Sequence, residues 1–369
     1  MKNTDERKIF VITNPMPLHN NSPAISLGKF IQVMRQAGYV PCVVGARIPA
    51  DGIPGVPESV SVKNFGYGGK SVIKILSFIF LQIRMFFWCI VNCRKGDAVY
   101  FWIADKMIGA FLGAKLMGAE INYFLYGRVF GDGKGGFSEK LVLYMMHRAD
   151  FVCSESPSVL DQWEIPVGKK HDCINLFVPD LGVAPVPFDK RDNTVAMYCR
   201  LSIGKHIDDA IAAFCKIHEL FPEYKLKIIG GGAIEDEMRR FAAEKDAGEF
   251  VTFTGWLPHE QALKEIAGAK ILLYPTDAEG VPGGVLESMA LGVVPLASAV
   301  GGIPDIIEQG VDGVFLSGAD EGAIADDLCR LMTSDGLCEM SAAAVVKIRD
   351  KYSLRAASEN FKAVRESHK

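Results

Sequence analysis

Short apolar runs alternate with segments of helical periodicity along the whole chain. The runs lie at 9–13, 40–45, 98–102, 121–126 and 151–154 in the first half. In the second half they lie at 194–199, 226–230, 250–253, 271–274, 294–297 and 313–316. They are apolar at consecutive positions rather than at every second one, so they read as parallel strands buried on both faces, with helices between them covering the sheets. This rhythm predicts an α/β protein built from doubly wound open sheets. It breaks between 175 and 194, where Val178-Pro-Asp-Leu-Gly-Val-Ala-Pro-Val-Pro carries neither period and reads as a linker. The expected division is a first Rossmann-like domain over 1–178 and a second over 179–353. A polar helix over 354–369, with Ala357, Phe361 and Val364 as its apolar side, is expected to lie back on the first domain.

One predicted helix, 71–92, has too few polar positions for an ordinary surface helix. Ser71, Lys74, Ser77, Gln82 and Arg84 fall on one arc, which they share with Phe78, Leu81, Met85 and Trp88. Between 59 and 96 there is no acidic residue, while Lys63, Lys70, Lys74, Arg84, Arg94 and Lys95 are cationic. The pattern reads as one face packed on a sheet. The other face, with Lys74, Phe78, Leu81, Arg84, Met85 and Trp88, would meet a membrane surface in the plane. Burial in the protein or a partner is an alternative reading. A spanning helix is another, and it would place Gln82 and Arg84 near mid-bilayer.

Composition narrows the functional classes. A chain of 369 residues is too long for one ordinary core and suits two domains. A formal net charge of −4 gives no basic footprint for a nucleic-acid partner. The nine cysteines form no CxxC pair and no zinc-spaced cluster with histidine, as expected of free thiols in a reducing compartment. Residues 1–8 are charged and lead directly into an apolar strand without a signal-peptide pattern, so a cytoplasmic location is expected.

The chemistry concentrates after the strand at 271–274. There Tyr274-Pro-Thr-Asp-Ala-Glu-Gly-Val-Pro-Gly-Gly-Val-Leu-Glu-Ser-Met-Ala-Leu-Gly places Glu279 in a loop and Glu287 in a helix that starts near Gly283. Ligands of open α/β sheets bind at the carboxyl ends of strands. A helix start there aims unpaired N–H groups at an anion, and Gly283 and Gly284 let the ligand approach the backbone. Glu279 can reach a sugar hydroxyl, and Glu287 a ribose diol, since a carboxylate accepts two hydrogen bonds from vicinal hydroxyls. Arg200 and Lys205, just past another strand, can neutralise a diphosphate.

Glu279-Gly-Val-Pro-Gly-Gly-Val-Leu-Glu287-Ser-Met-Ala resembles the E-x7-E signature of the retaining glycosyltransferases of family 4 (glycosyl transferases group 1). Pro295-Leu-Ala-Ser-Ala-Val-Gly-Gly-Ile-Pro-Asp-Ile-Ile is similar to that family's next strand and glycine turn, with Asp305 where glutamate is usual. Tyr198-Cys-Arg-Leu-Ser-Ile-Gly-Lys-His-Ile-Asp-Asp-Ala-Ile, Leu226-Lys-Ile-Ile-Gly-Gly-Gly and Val251-Thr-Phe-Thr-Gly-Trp-Leu resemble three further motifs, in the family's order. The resemblance implies a GT-B fold, two Rossmann-like domains facing each other across a cleft. It also implies a donor site made by Arg200, Lys205, Gly231, Leu257, Glu279, Gly283, Gly284, Val285 and Glu287, with Glu279, Arg200 and Lys205 as the catalytic set. The expected substrates are a nucleoside diphosphate sugar and a glycan or lipid-linked acceptor, in polysaccharide or glycolipid synthesis. With no Asp-x-Asp motif in a strand-end loop, Arg200 and Lys205 are expected to replace a metal ion, and no cofactor is implied. The localisation that goes with these readings is peripheral, on the inner face of the membrane.

The first half follows the family only in rhythm. Its first loop, Asn14-Pro-Met-Pro-Leu-His-Asn-Asn-Ser-Pro-Ala-Ile, lacks the usual glycine pair, and Tyr126-Gly-Arg-Val-Phe-Gly-Asp-Gly-Lys-Gly-Gly lacks the usual histidine. Asn21 and Arg128 are the acceptor-side candidates, and 127–136 reads as either a lid or a surface loop. Two alternatives stay open at this point: a catalytically weak donor-binding subunit of a partner transferase, and a nucleotide-sugar epimerase. Gly68-Gly-Lys-Ser71 is not a phosphate loop, because Asn64 stands where the first glycine belongs.

Overall fold

A computed structural model describes residues 7–15, 22–48, 53, 56–63, 71–126 and 136–367. The chain divides into two compact units, Met1–Phe177 with Leu354–Lys369, and Val178–Ser353.

The first unit holds a parallel sheet of seven strands: β1 (Ile9–Ile12), β2 (Pro41–Gly45), β3 (Ser59–Ser61), β4 (Ala98–Phe101), β5 (Glu120–Leu125), β6 (Phe151–Ser154) and β7 (His171–Cys173). Their order is β3-β2-β1-β4-β5-β6-β7. Alternate residues serve two separate cores. Phe10, Ile12, Val99 and Phe101 face the helices Ser71–Asn92, Ile108–Leu116 and Gly136–Arg148. Ile9, Val11, Ala98 and Tyr100 face Ser22–Gln36 and Leu354–Ser367. Helices on both faces are why these strands are apolar at every position. The C-terminal helix buries Ala357, Phe361 and Val364 in the second of these cores, and Arg365 pairs with Glu120. β3 and β7, which the apolar pattern did not reveal, are three-residue edge strands with exposed or half-buried side chains.

The Ser71–Asn92 helix corrects the face expected to meet a membrane. Leu81 and Met85 are fully buried, Phe78 is half-buried, and half-buried Trp88 meets the Phe10 ring edge-on at 5.3 Å. The cause lies in another segment. A Cβ on Gly109 would fall 2.0 Å from the Gln82 carbonyl oxygen, and one on Gly113 would fall 2.6 Å from that of Phe86. These two glycines let the Ile108–Leu116 helix run against the backbone of the longer one. Gln82, read as a marker of the wet face, accepts a hydrogen bond from the Gly109 N–H at 2.9 Å. The outward face is the other one, with Ile79, Ile83 and Phe87 exposed. Arg84 is exposed, while the side chain of Lys74 and the segment of Gly68 to Lys70 lie outside the described residues.

The second unit holds β8 (Thr194–Tyr198), β9 (Lys225–Ile229), β10 (Val251–Gly255), β11 (Ile271–Tyr274), β12 (Val294–Ala297) and β13 (Val314–Phe315). Their order is β10-β9-β8-β11-β12-β13, all parallel. Successive strands are laid down outward from β8 in one direction and then, from β11, in the other. The crevice at the β8 and β11 carboxyl ends is therefore the topological switch point. The stretch read as a linker packs on this unit: Val178, Leu181, Val183 and Val186 lie half-buried against its core. Arg191 anchors it, since its guanidinium donates to the carbonyls of Val186, Ala269, Gly292 and Leu291 at 2.9, 3.2, 2.6 and 2.7 Å.

Candidate functional site

The switch point of the second unit collects most of the residues singled out above. β8 ends at Tyr198, and Arg200 follows with an exposed side chain. Lys205 comes round the next turn and forms an ion pair with Glu279, the two side chains being 16% and 17% exposed. Its ammonium also donates to Thr276 Oγ1 at 3.1 Å and reaches the Tyr274 hydroxyl at 3.5 Å. Tyr274, the last residue of β11, donates its hydroxyl to Glu279 Oε1 at 2.9 Å. Burial first, and then the Glu279 carboxylate, push the Tyr274 phenol well above its ordinary range, so it remains a donor.

The loop that carries Glu279 is clamped from both sides. Asp277 N–H donates to the Gly204 carbonyl at 3.0 Å, Thr276 N–H to Ser298 Oγ at 2.9 Å, and Gly302 N–H to the Gly280 carbonyl at 2.7 Å. Gly301 has φ +59°, and a Cβ there would stand 2.0 Å from the Glu279 carbonyl oxygen, so no other residue fits. His206, at the start of the Ile207–Ile217 helix, is within 2.7 Å of Asp277 Oδ1 and 3.0 Å of Asp209 Oδ2. Partial burial disfavours its cation, but the two carboxylates outweigh that and raise its pKa.

The helix Gly283–Ala290 begins beside this cluster. Its N-cap is Pro282, which makes no side-chain capping bond, and Leu286 is the first residue to donate back, to the Pro282 carbonyl. The N–H groups of Gly283, Gly284 and Val285 are thus left without intrahelical acceptors. Above Gly283 a Cβ would meet nothing within 4 Å. One turn in, Glu287 is buried. It accepts from the Tyr198 hydroxyl at 3.2 Å and lies 3.2 Å from His259 Nε2. Gly231 lies farther along the edge, where a Cβ would crowd Trp256 and Glu235, and Leu257 follows half-buried. The arrangement offers cations and N–H groups for a diphosphate, a tethered carboxylate for a diol, and an aromatic surface, 69% exposed at Trp256, beside a glycine turn.

Tyr198, Tyr274, Thr276 and His259 were not singled out from sequence. Tyr198 meets Glu287, and Tyr274 and Thr276 meet Lys205, across 69 to 89 residues of sequence, and His259 meets Glu287 from a separate helix, so sequence spacing does not reveal these contacts. The acceptor-side candidates Asn21 and Arg128 lie outside the described residues. In the first unit Glu155, directly after β6, is another residue without a sequence signal. Burial lifts its carboxyl to about 7 against the opposing influence of Lys29. The indole N–H of Trp102, directly after β4, is buried without a hydrogen-bond partner among the described residues.

Residues 183–347, nearly all of the second unit, match the family described as Glycosyl transferases group 1. The second unit belongs to this family. Relatives include the amylovoran biosynthesis glycosyltransferase AmsK of Erwinia amylovora, 31% identical over 138 residues, which are 36% of this chain and 34% of AmsK. Another is a GDP-mannose-dependent α-(1-6)-phosphatidylinositol monomannoside mannosyltransferase of Mycolicibacterium smegmatis, 31% identical over 137 residues, 35% of this chain and 36% of that enzyme. The matched segments span about a third of the length of these curated relatives. Over the whole chain the fold is similar to that of Anabaena Alr3699/HepE, solved in complex with UDP, with a TM-score of 0.76, 14% identity, and coverage of 98% of this chain and 100% of that one. The pneumococcal O-GlcNAc transferase GtfA, solved with UDP and GlcNAc, matches with a TM-score of 0.76 at 12% identity, covering 99% of each chain. The group 1 glycosyl transferase domain and its companion unit together constitute a GT-B fold of two Rossmann-like units.

Proposed function

We propose that the chain is a retaining glycosyltransferase that moves a hexose-type sugar from a nucleoside diphosphate sugar to a glycan or lipid-linked acceptor. The observation that carries the reading is the cluster of Lys205 with Tyr274, Thr276 and Glu279 at the β8/β11 switch point, the last three on the segment that leads directly into the uncapped start of the Gly283–Ala290 helix. Arg200, Lys205 and the N–H groups of Gly283, Gly284 and Val285 would hold the diphosphate. Glu287, steadied by Tyr198 and His259, would take the ribose diol, and Gly231 and Leu257 would border the base. Glu279 would accept from a hydroxyl of the donor sugar.

In the reaction the bond from the anomeric carbon to the diphosphate oxygen breaks and the acceptor oxygen bonds that carbon on the same face. The acceptor's proton passes to the departing diphosphate. The negative charge that grows on the leaving group is what the two cations and the helix N–H groups stabilise, and positioned donors of this kind are worth about 10²–10³ in rate each. No protein nucleophile and no metal ion is required by this scheme. The relatives' activities, one in amylovoran biosynthesis and the other as a phosphatidylinositol monomannoside mannosyltransferase, support an acceptor of glycan or lipid-linked class.

The test is a thermal-shift screen of the purified chain against UDP-, GDP- and ADP-sugars, followed by turnover with the stabilising donor in excess EDTA and NMR of the product anomer. Stabilisation by one donor and a product of unchanged anomeric configuration support the proposal. Stabilisation without transfer to any glycan or lipid acceptor would make the chain a donor-binding subunit, and an inverted product would overturn the retaining assignment.

A further inference from the structure

The outward face of the Ser71–Asn92 helix is the largest unexplained feature of the first unit. Leu76, Ile79, Ile83, Phe87 and Val91 follow one another at helical spacing and are 48–79% exposed. On the adjoining Ile108–Leu116 helix, Leu112 and Leu116 are exposed as well. The segment Ile75–Asn92 is long and apolar enough to cross a bilayer by length and composition. Its opposite face, however, is committed: Leu81, Met85 and Cys89 close the core over β1 and β4, and Gly109 and Gly113 hold the helix against its neighbour. Drawing the helix across a bilayer would strip one face of the sheet. Lying in the interface plane leaves every buried contact in place.

Charge selects the kind of surface. Lys63, Arg84, Arg94 and Lys95 are exposed in this region, and the sequence has no acidic residue from 59 to 96. Of the two acidic residues that flank this run, Asp97 is buried and occupied by the N–H groups of Lys8 and Arg94 at 2.9 and 2.8 Å, and Glu58 is exposed before β3 but does not line the groove described next. Between the edge strand β3 and the helix runs a groove of about 660 Å³. Val60, Val62, Ile83, Phe87 and Trp88 form its apolar wall, and Lys63 and Arg84 also line it. An apolar channel with two cations and no carboxylate suits an acyl chain that ends in a phosphate.

We propose that the first unit docks on an anionic phospholipid bilayer with the 71–92 helix in the plane of the surface, one lipid chain in the groove and its phosphate on Lys63 and Arg84. The surface belongs to the first unit alone and does not rest on the donor-site assignment.

The experiment uses the full chain with extruded vesicles of phosphatidylcholine alone or with about 30% phosphatidylglycerol, in co-sedimentation at low and high salt. Binding is expected only with the anionic vesicles and falls as salt screens the cations. Ile79→Ser/Phe87→Ser and Lys63→Glu/Arg84→Glu change exposed positions, and each pair is expected to lower the bound fraction at least about tenfold at unchanged melting temperature. Vesicles with brominated acyl chains report the groove on the unmutated protein: they are expected to quench tryptophan fluorescence, and the quenching is expected to be lost in Trp88→Phe. The proposal is overturned if the protein stays in the supernatant with every lipid, if it binds neutral vesicles equally well, or if it is a dimer without lipid whose interface is broken by Ile79→Ser/Phe87→Ser. Vesicle binding with quenching unaffected by Trp88→Phe would overturn the groove as the chain's seat.

Discussion

Glu279→Gln separates two roles that an ion pair would otherwise confuse. In the free protein the Lys205 ammonium is shared by Glu279, Thr276 and Tyr274. An arriving diphosphate must draw that ammonium away from a carboxylate, and must itself approach the carboxylate's negative charge. Two unit charges about 4 Å apart at an effective dielectric of about 20 interact by about 4 kcal/mol. The side chains are 16% and 17% exposed, so desolvation and screening offset most of that. A net release of about 1 kcal/mol is a fair figure, which is about fivefold in a dissociation constant. The amide oxygen of glutamine still accepts from Tyr274, so the loop stays in place. The free nucleoside diphosphate is therefore expected to bind as tightly as before or about fivefold more tightly, by calorimetry. The rate constant kcat is expected to fall about 100-fold or more, because a sugar contact that strengthens in the transition state is lost. A fall in nucleotide affinity matching the fall in kcat would refute the reasoning, since Glu279 would then be part of the diphosphate site.

Glu287→Ala is expected to weaken nucleotide binding by about 1.5–3 kcal/mol and to raise KM with little effect on kcat, while Tyr198→Phe, which removes one 3.2 Å bond to Glu287, costs about 0.5–1.5 kcal/mol. Arg191→Met leaves the carbonyls of Val186, Ala269 and Leu291 without this donor, while that of Gly292 keeps Ser341 Oγ, and is expected to cost the second unit about 3–5 kcal/mol in denaturant unfolding; a change below about 1 kcal/mol would mean the segment 178–186 holds without it. Glu155 has a native pKa raised from 4.5 to about 7, so the stability linked to its neutral form is full below pH 4.5 and lost as the pH rises through 7. Glu155→Gln is expected to stabilise the protein by up to about 3 kcal/mol at pH 8 and by nothing near pH 4, which parallel melts at the two pH values would show.

The fold was legible where burial is two-sided. Central parallel strands such as β1, β4 and β11 are apolar at every residue and announce themselves, whereas β3 and β7 are short, edge-placed and wet. The 71–92 helix was legible as a helix but not in its orientation. Both of its faces are apolar, and the choice between them is made by Gly109 and Gly113 on a different helix and by Gln82 turning inward to cap one of them. The 178–186 segment was legible as the domain boundary but not in its packing: its prolines break periodicity, yet Val178, Leu181, Val183 and Val186 pack on the core of the second unit, and Arg191, an arginine with no motif around it, holds the Val186 carbonyl. At the site, Glu279, Glu287, Lys205 and the helix start could be read because they sit in local motifs at strand ends. The residues that aim them could not: Tyr198 and His259 reach Glu287 only through the packing of the sheet and its helices, and Tyr274, though five residues from Glu279, shows no sign in the sequence that its hydroxyl turns back to that carboxylate.

The central claim is that the β8/β11 switch point binds the diphosphate of a nucleotide-sugar donor. Calorimetric titration of UDP, GDP and ADP into the wild-type chain, Arg200→Ala and Lys205→Ala tests it most directly. One of the three nucleotides is expected to bind the wild type, and each substitution is expected to weaken it by about 1.5–3 kcal/mol, or about 10- to 150-fold, at unchanged melting temperature. Equal affinity in all three proteins, or no binding of any of these nucleotides to the wild type, would contradict the account.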